Sequence, residues 1–226
     1  MLLEGEQKIQ LFNSCQTKGK IMFKKIGIIV IFISCFVIAK YAVQFGMEKY
    51  RENKVITAVE EAYSEIEKEA ESNNTGISKS AAIQETAIKK VEENINSKNS
   101  PQKKKETAIS TFMGFYLVNY RTRSDFCEAL GISISTFTNK FKEIHRNELN
   151  LSNKIVFKND GEVDNLYKLI QAQLEKVVSQ DMNDIASQYG VNTTGACQLV
   201  EDNGITFAES MHVSKIQPTV YKEIHN

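Results

Sequence analysis

The sequence predicts an all-α protein. Three observations carry the prediction. Apolar residues recur at helical steps of three and four from about residue 47 to the C-terminus, and no stretch alternates as a half-buried strand does. Only two prolines occur in 226 residues, Pro101 and Pro218, the first in a linker-like stretch and the second where a helix can start. The expected architecture is an N-terminal membrane or export helix, a helical hairpin spacer, and a C-terminal helical bundle with one disulfide.

Residues 1–25 are polar and carry five lysines against two glutamates. They read as a short cytoplasmic tail or as an over-extended start, because a chain beginning at Met22 would open MFKKIGIIVIF, a compact export signal. The run Ile26–Ala39, IGIIVIFISCFVIA, is fourteen residues without a charge, directly after Lys24-Lys25. As a helix it spans roughly 21 Å, short of a bilayer's ~30 Å hydrocarbon core and typical of a secretory signal. Val37-Ile38-Ala39 supplies residues a signal peptidase can read. If Lys40 snorkels toward the headgroups, Ile26–Met47 becomes 22 residues and spans as an anchor. Segment 26–47 is therefore a cleaved signal or a single transmembrane anchor. Cys35 after Ser34 also invites a lipoprotein reading, but Phe32 fits that motif poorly and the cysteine reads as one more apolar residue. The lysines before the segment put that end in the cytoplasm and send the rest to the periplasmic side.

Segment 48–97 follows as a helical hairpin or coiled-coil spacer. Val55, Val59, Ala62 and Ile66 make a narrow seam, Ser72-Asn73-Asn74-Thr75-Gly76 a turn, and Ile77, Ala81, Gln84, Ile88, Val91 and Ile95 a second seam. Residues 98–105, KNSPQKKK, form a linker. Segment 106–226 is an α-helical periplasmic domain. Its expected parts are a broadly apolar helix through Ile109, Phe112, Phe115 and Leu117, a short helix over Ser124–Leu130 ending at Gly131, and a helix over Ser135–Leu149. After a turn at Asn159-Asp160-Gly161 a long helix runs to Tyr189, with Gly190 as its C-cap. Thr193 or Thr194 caps the next helix, and a last short one starts near Pro218.

Of 28 basic and 28 acidic residues, five and two respectively precede residue 40, so the remainder carries a net charge of −3. A weakly acidic region has no general attraction to nucleic acid or anionic lipid.

Residues 124–142, SDFCEALGISISTFTNKFK, carry the most specific motif. Phe126, Leu130, Ile132 and Phe137 stand where two short helices would pack, Cys127 where a small residue lets them approach, and Gly131 in the turn. The stretch resembles the helix-turn-helix of bacterial repressors, which implies a recognition helix starting over Ser133–Thr136. Ile134 and Phe141 are apolar where that helix would face the groove, and Lys140 is charged where the motif wants an apolar residue. The basic side chains at hand are Arg121, Arg123, Lys140, Lys142 and Arg146. With the domain exported, the stretch is expected to be a structural corner and the protein to bind no nucleic acid. With the topology reversed, it would be a membrane-tethered helix-turn-helix transcription regulator.

Exactly two of the four cysteines follow the apolar segment, Cys127 and Cys197. Export delivers such a pair to an oxidising compartment, where it forms a disulfide. His145, His212 and His225 stand apart in sequence without zinc-helix spacing. The acidic run from Glu60 to Glu71 has the look of a solvated helix face. No Gly-x-Ser-x-Gly, Ser-x-x-Lys or glycine-rich phosphate loop appears. The expected function is that of an exported, non-enzymatic helical interaction protein, periplasmic or anchored in the inner membrane through residues 26–47. It is expected to take a protein partner and no metal, cofactor or small-molecule ligand.

Overall fold

The computed structural model describes residues 50–72, 79–155 and 160–226, and every regular element among them is helical. Helices α1 (Tyr50–Ser72) and α2 (Lys79–Asn96) pack side by side. Lys90 of α2 ties them together, reaching Glu65 at 3.0 Å and Glu69 at 2.8 Å on α1. The turn between the helices lies outside the described residues, as does all of segment 1–49, including the apolar run Ile26–Met47. No helix among the described residues is long and apolar enough to cross a membrane.

The buried stripe of α2 is Ala82, Ile83, Thr86, Ala87, Val91 and Ile95. It is broader than the seam read from the sequence, in which Gln84 and Ile88 prove only partly buried. The physical reason is that α2 touches more than α1. It also packs on α3 (Pro101–Leu117) and, near its end, on the C-terminal helix, where the Thr219 hydroxyl donates to Glu92 Oε1 at 2.9 Å. A helix with two neighbours buries a wide face. α1 meets the bundle in its turn, with Tyr63 Oη donating to Gln180 at 3.2 Å.

Residues 98–105 were expected to be a linker, yet Ser100 and Pro101 open α3 directly. Ser100 Oγ accepts from the Lys103 N–H, and Pro101 loses nothing at a first turn, where its missing N–H has no partner anyway. From Thr107 to Val118 every residue of this stretch is buried. A helix apolar on all sides belongs at the centre of a bundle. Two of its buried hydroxyls are satisfied within the helix: Thr107 and Thr111 donate to carbonyls four residues back at 2.8 and 2.9 Å, while the Ser110 hydroxyl has no hydrogen-bond partner among the described residues.

The remaining helices are α4 (Arg123–Ala129), α5 (Ser135–Ile144), α6 (Arg146–Ile155), α7 (Asp160–Tyr189), α8 (Thr193–Asp202), α9 (Gly204–Ser210), α10 (Val213–Ile216) and α11 (Pro218–His225). Gly131 and Gly190 follow α4 and α7 at φ +79° and +63°, the left-handed conformation that ends helices and that glycine adopts without strain. The cap of α8 is Asn192, whose Oδ1 accepts from Gly195 N at 2.8 Å, while Thr193 turns to Asn183. The helix expected over Ser135–Leu149 is two helices, broken at His145. α7 already begins at Asp160, where a turn was expected.

One apolar core runs through all of these elements, from Ile66 and Ile83 at the hairpin through Phe112, Phe115, Phe137 and Phe141 to Val220 and Ile224.

Candidate functional site

Cys127 on α4 and Cys197 on α8 form the disulfide, with Cα atoms 5.6 Å apart and both residues fully buried. The bond closes a span of 70 residues and joins two helices that each lie against α7. One turn before Cys127, the chain does something the sequence did not announce. Between α3 and α4, residues Val118–Thr122 form a turn of π-helix. Such turns carry an extra residue and often accompany a site with special demands. Here the shifted register turns Asn119, Thr122 and Arg123 toward the core.

Arg123 and its partner Asp181 on α7 are both fully buried, Nη1 to Oδ2 at 2.6 Å. Nη2 of Arg123 donates to Asn119 Oδ1 at 3.2 Å, and Nη1 also lies 3.1 Å from Met182 Sδ. Asn119 is held in turn by its own bond to the Phe115 carbonyl at 2.9 Å. Burial pushes the Asp181 carboxyl up from its ordinary value, with the guanidinium opposing the rise. Asp184 is pushed the same way, by burial and then by the nearby Asp181 charge. Arg123 Nε and Asp181 Oδ1 have no hydrogen-bond partner among the described residues. Charges without full satisfaction in a dry interior are costly, so this pair fixes the packing of α4 on α7 rather than adding much net stability.

The helix-turn-helix resemblance holds in outline and fails where DNA would be read. Phe137 is buried, against Phe141 of its own helix and Phe207 of α9, with Phe126 and Ile132 partly buried; Leu130 instead faces solvent. Ile134 and Phe141, wrong for a groove-facing surface, are core residues with no exposure at all. α9 lies along α5 so closely that a Cβ on Gly204 would sit 2.6 Å from the Phe137 backbone nitrogen. The first turn of α5 is occupied as well: Glu201 accepts from Thr136 N at 3.0 and 3.1 Å and from the Thr136 hydroxyl at 2.5 Å. A carboxylate at a helix N-terminus satisfies the free N–H groups and the helix dipole that would otherwise receive a phosphate. The basic side chains are largely engaged elsewhere. Arg123 is buried, Arg121 pairs with Asp164 at 2.6 Å over the Tyr167 ring, and Lys140 bridges Glu143 and Glu209.

All three histidines, scattered in sequence, come together. His145 ends α5 and is buried against Phe112, Phe115 and Phe141. Its Nε2 accepts from Val213 N at 3.0 Å, so its proton sits on Nδ1, which donates to the Phe141 carbonyl at 2.9 Å. The ring stacks on His212 with centroids 5.0 Å apart. His212 caps α10, its Nδ1 accepting from Ser214 N at 3.2 Å, and meets the edge of Tyr221. Tyr221 packs on His225, whose Nε2 lies 2.9 Å from Oε1 of the nearly buried Glu148. No group of three or more His, Cys, Asp or Glu among the described residues is placed to hold a metal ion. This column explains the break at His145: a side chain that bonds both its own helix and the α10 backbone turns the chain there.

Sequence reasoning missed the Arg123–Asp181 pair and the histidine column. Arg123 was visible only as an arginine at the edge of an apolar run, and the histidines only as singletons. No protein-family model, curated protein or solved structure matches the chain.

Proposed function

We propose that the protein is an exported, non-enzymatic helical interaction protein, periplasmic or held at the inner membrane through residues 26–47, with another protein as its partner. The observation that carries the reading is the disulfide. The two cysteines that follow the apolar segment are the two that pair, in a fully buried bond. Such bonds belong to oxidising compartments, and reducing ones keep thiols free. Lys24-Lys25 ahead of Ile26–Ala39 supports export in the same sense.

In this reading α1 and α2 are the spacer between the membrane and the bundle, and a stiff one, since their seam is packed into the bundle core. A fusion of alkaline phosphatase after residue 226 is expected to be active, because that enzyme needs the periplasm to fold. Activity only from a reporter that works in the cytoplasm would overturn the reading and favour a membrane-tethered helix-turn-helix regulator instead.

DNA binding gives a second, independent test. With Glu201 on the first turn of α5 and Arg123 buried, the chain is expected to retard genomic DNA fragments without sequence preference or not at all. Sequence-selective, salt-dependent retardation would contradict this.

A further inference from the structure

The histidine column does work that neither the disulfide nor the interaction reading uses. We propose that His145, stacked on His212, is an acid-sensitive clasp, which holds α10 and α11 on the bundle near neutral pH and releases them as its imidazole takes up a proton.

The geometry requires the His145 ring to be neutral at Nε2. Val213 N–H points at that nitrogen, while Nδ1 already gives its proton to the Phe141 carbonyl. Nε2 must offer a lone pair, so protonation there sets an N–H against an N–H and the bond is lost. The His212 ring faces that of His145 at 5.0 Å and 14° and disfavours the charged form of His145. Around His145, α3 and α5 present the rings of Phe112, Phe115 and Phe141, which offer no counter-charge. On α10, Lys215 turns away to the Glu209 carbonyl at 2.8 Å. α11 presents Tyr221 and His225, and α6 presents Glu148. Glu148 favours a charged His145 and so resists release.

Burial outweighs this at His145, lowering its pKa to about 4 from the ordinary 6.5, with the Phe141 hydrogen bond and Glu148 acting against the shift and His212 with it. Since the folded value is the lower one, the opened form binds protons first. The clasp is at full strength above pH 6.5 and weakens steadily as the pH falls toward 4. The segment set free would uncover Val220 and Ile224, both fully buried at neutral pH, and the surface of α3 beneath them.

Hydrogen–deuterium exchange of the full chain between pH 7.5 and 4, corrected for the intrinsic pH dependence of exchange, tests the proposal. Amides of residues 213–225 are expected to lose about a hundredfold in protection at pH 4, the ratio that follows from the two pKa values of His145, while amides of α7 around Met182 keep theirs. His145→Gln keeps an acceptor for Val213 and cannot titrate, so its loss should fall below about threefold by the same linkage. If that variant does not fold, His212→Asn retains the α10 cap and removes the facing imidazole that helps to lower His145, and should show a smaller loss than the parent. Protection of 213–225 that persists to pH 4, a loss shared equally by α7, or an undiminished loss in the variant that folds would each overturn the clasp.

Discussion

Replacing Arg123 with Ala is expected to cost about 3–5 kcal/mol of stability, the range for breaking a buried ion pair by removing one partner. The cause is less the lost attraction than what is left behind. Asp181 would keep its fully buried carboxylate with no cation at 2.6 Å. Asn119 Oδ1 would lose its donor as well. In a chain of this size the loss should lower the melting temperature by roughly 10 °C. Because burial already pushes Asp181 upward, the variant can recover part of the loss by protonating that group. Its deficit relative to the parent should therefore shrink as the pH falls from 7 toward 5, the opposite of the trend expected from His145. Asp181→Ala strands a guanidinium that cannot deprotonate, so that variant has no such recovery and its deficit should not shrink over the same range. The paired change Arg123→Met with Asp181→Leu should recover most of the stability, since two apolar groups fill the site without a desolvated charge. Melting curves for the four proteins at two pH values decide the matter. A double variant no better than either single one would show that the pair is a net stabiliser and not a packing device.

Loss of the disulfide is the other large effect. Cys127→Ser or Cys197→Ser should each destabilise by about 2–5 kcal/mol, in line with a closed span of 70 residues, for which loop entropy alone gives about 4 kcal/mol. The double replacement should be no worse than either single, because both remove one and the same constraint. Urea unfolding of each variant beside the reduced parent checks this. Additive losses would mean that the cysteines contribute by separate packing and not through their bond. The clip and the Arg123–Asp181 pair act on the same neighbourhood, since Cys127 stands one turn after Arg123 on α4. Breaking both should accordingly deviate from the sum of the separate losses.

What the sequence disclosed and what it hid divide along physical lines. The helical class was legible because apolar spacing at three and four residues depends only on local geometry. The ends marked by Gly131, Gly190 and Pro218 were legible for the same reason: each of those residues has a backbone preference of its own. The cysteine pair was legible by counting, once residues 26–39 suggested an oxidising destination. The break at His145 was hidden because it depends on Val213, 68 residues away. The width of the α2 stripe was hidden because α3 and α11 decide it. Arg123 looked like a surface cation, since nothing local reports a π-helical turn or an aspartate 58 residues further on. α9 and α10 escaped notice because a seven-residue and a four-residue helix are too short to show a period, and tertiary contacts alone hold them. At the helix-turn-helix stretch the local pattern was real, but its meaning was set by Glu201 and Gly204 from a distant part of the chain.

The export reading and the disulfide stand together, and one measurement reaches both. Cells making the full chain are quenched with acid and alkylated without a reductant, and the chain is then mapped by mass for modified cysteines. The account predicts Cys127 and Cys197 unmodified and joined in a single linked peptide, in protein taken directly from the cell. Quantitative alkylation of both thiols in freshly made, folded protein would contradict it, since a chain that keeps this pair reduced has not been delivered to the compartment the account assigns.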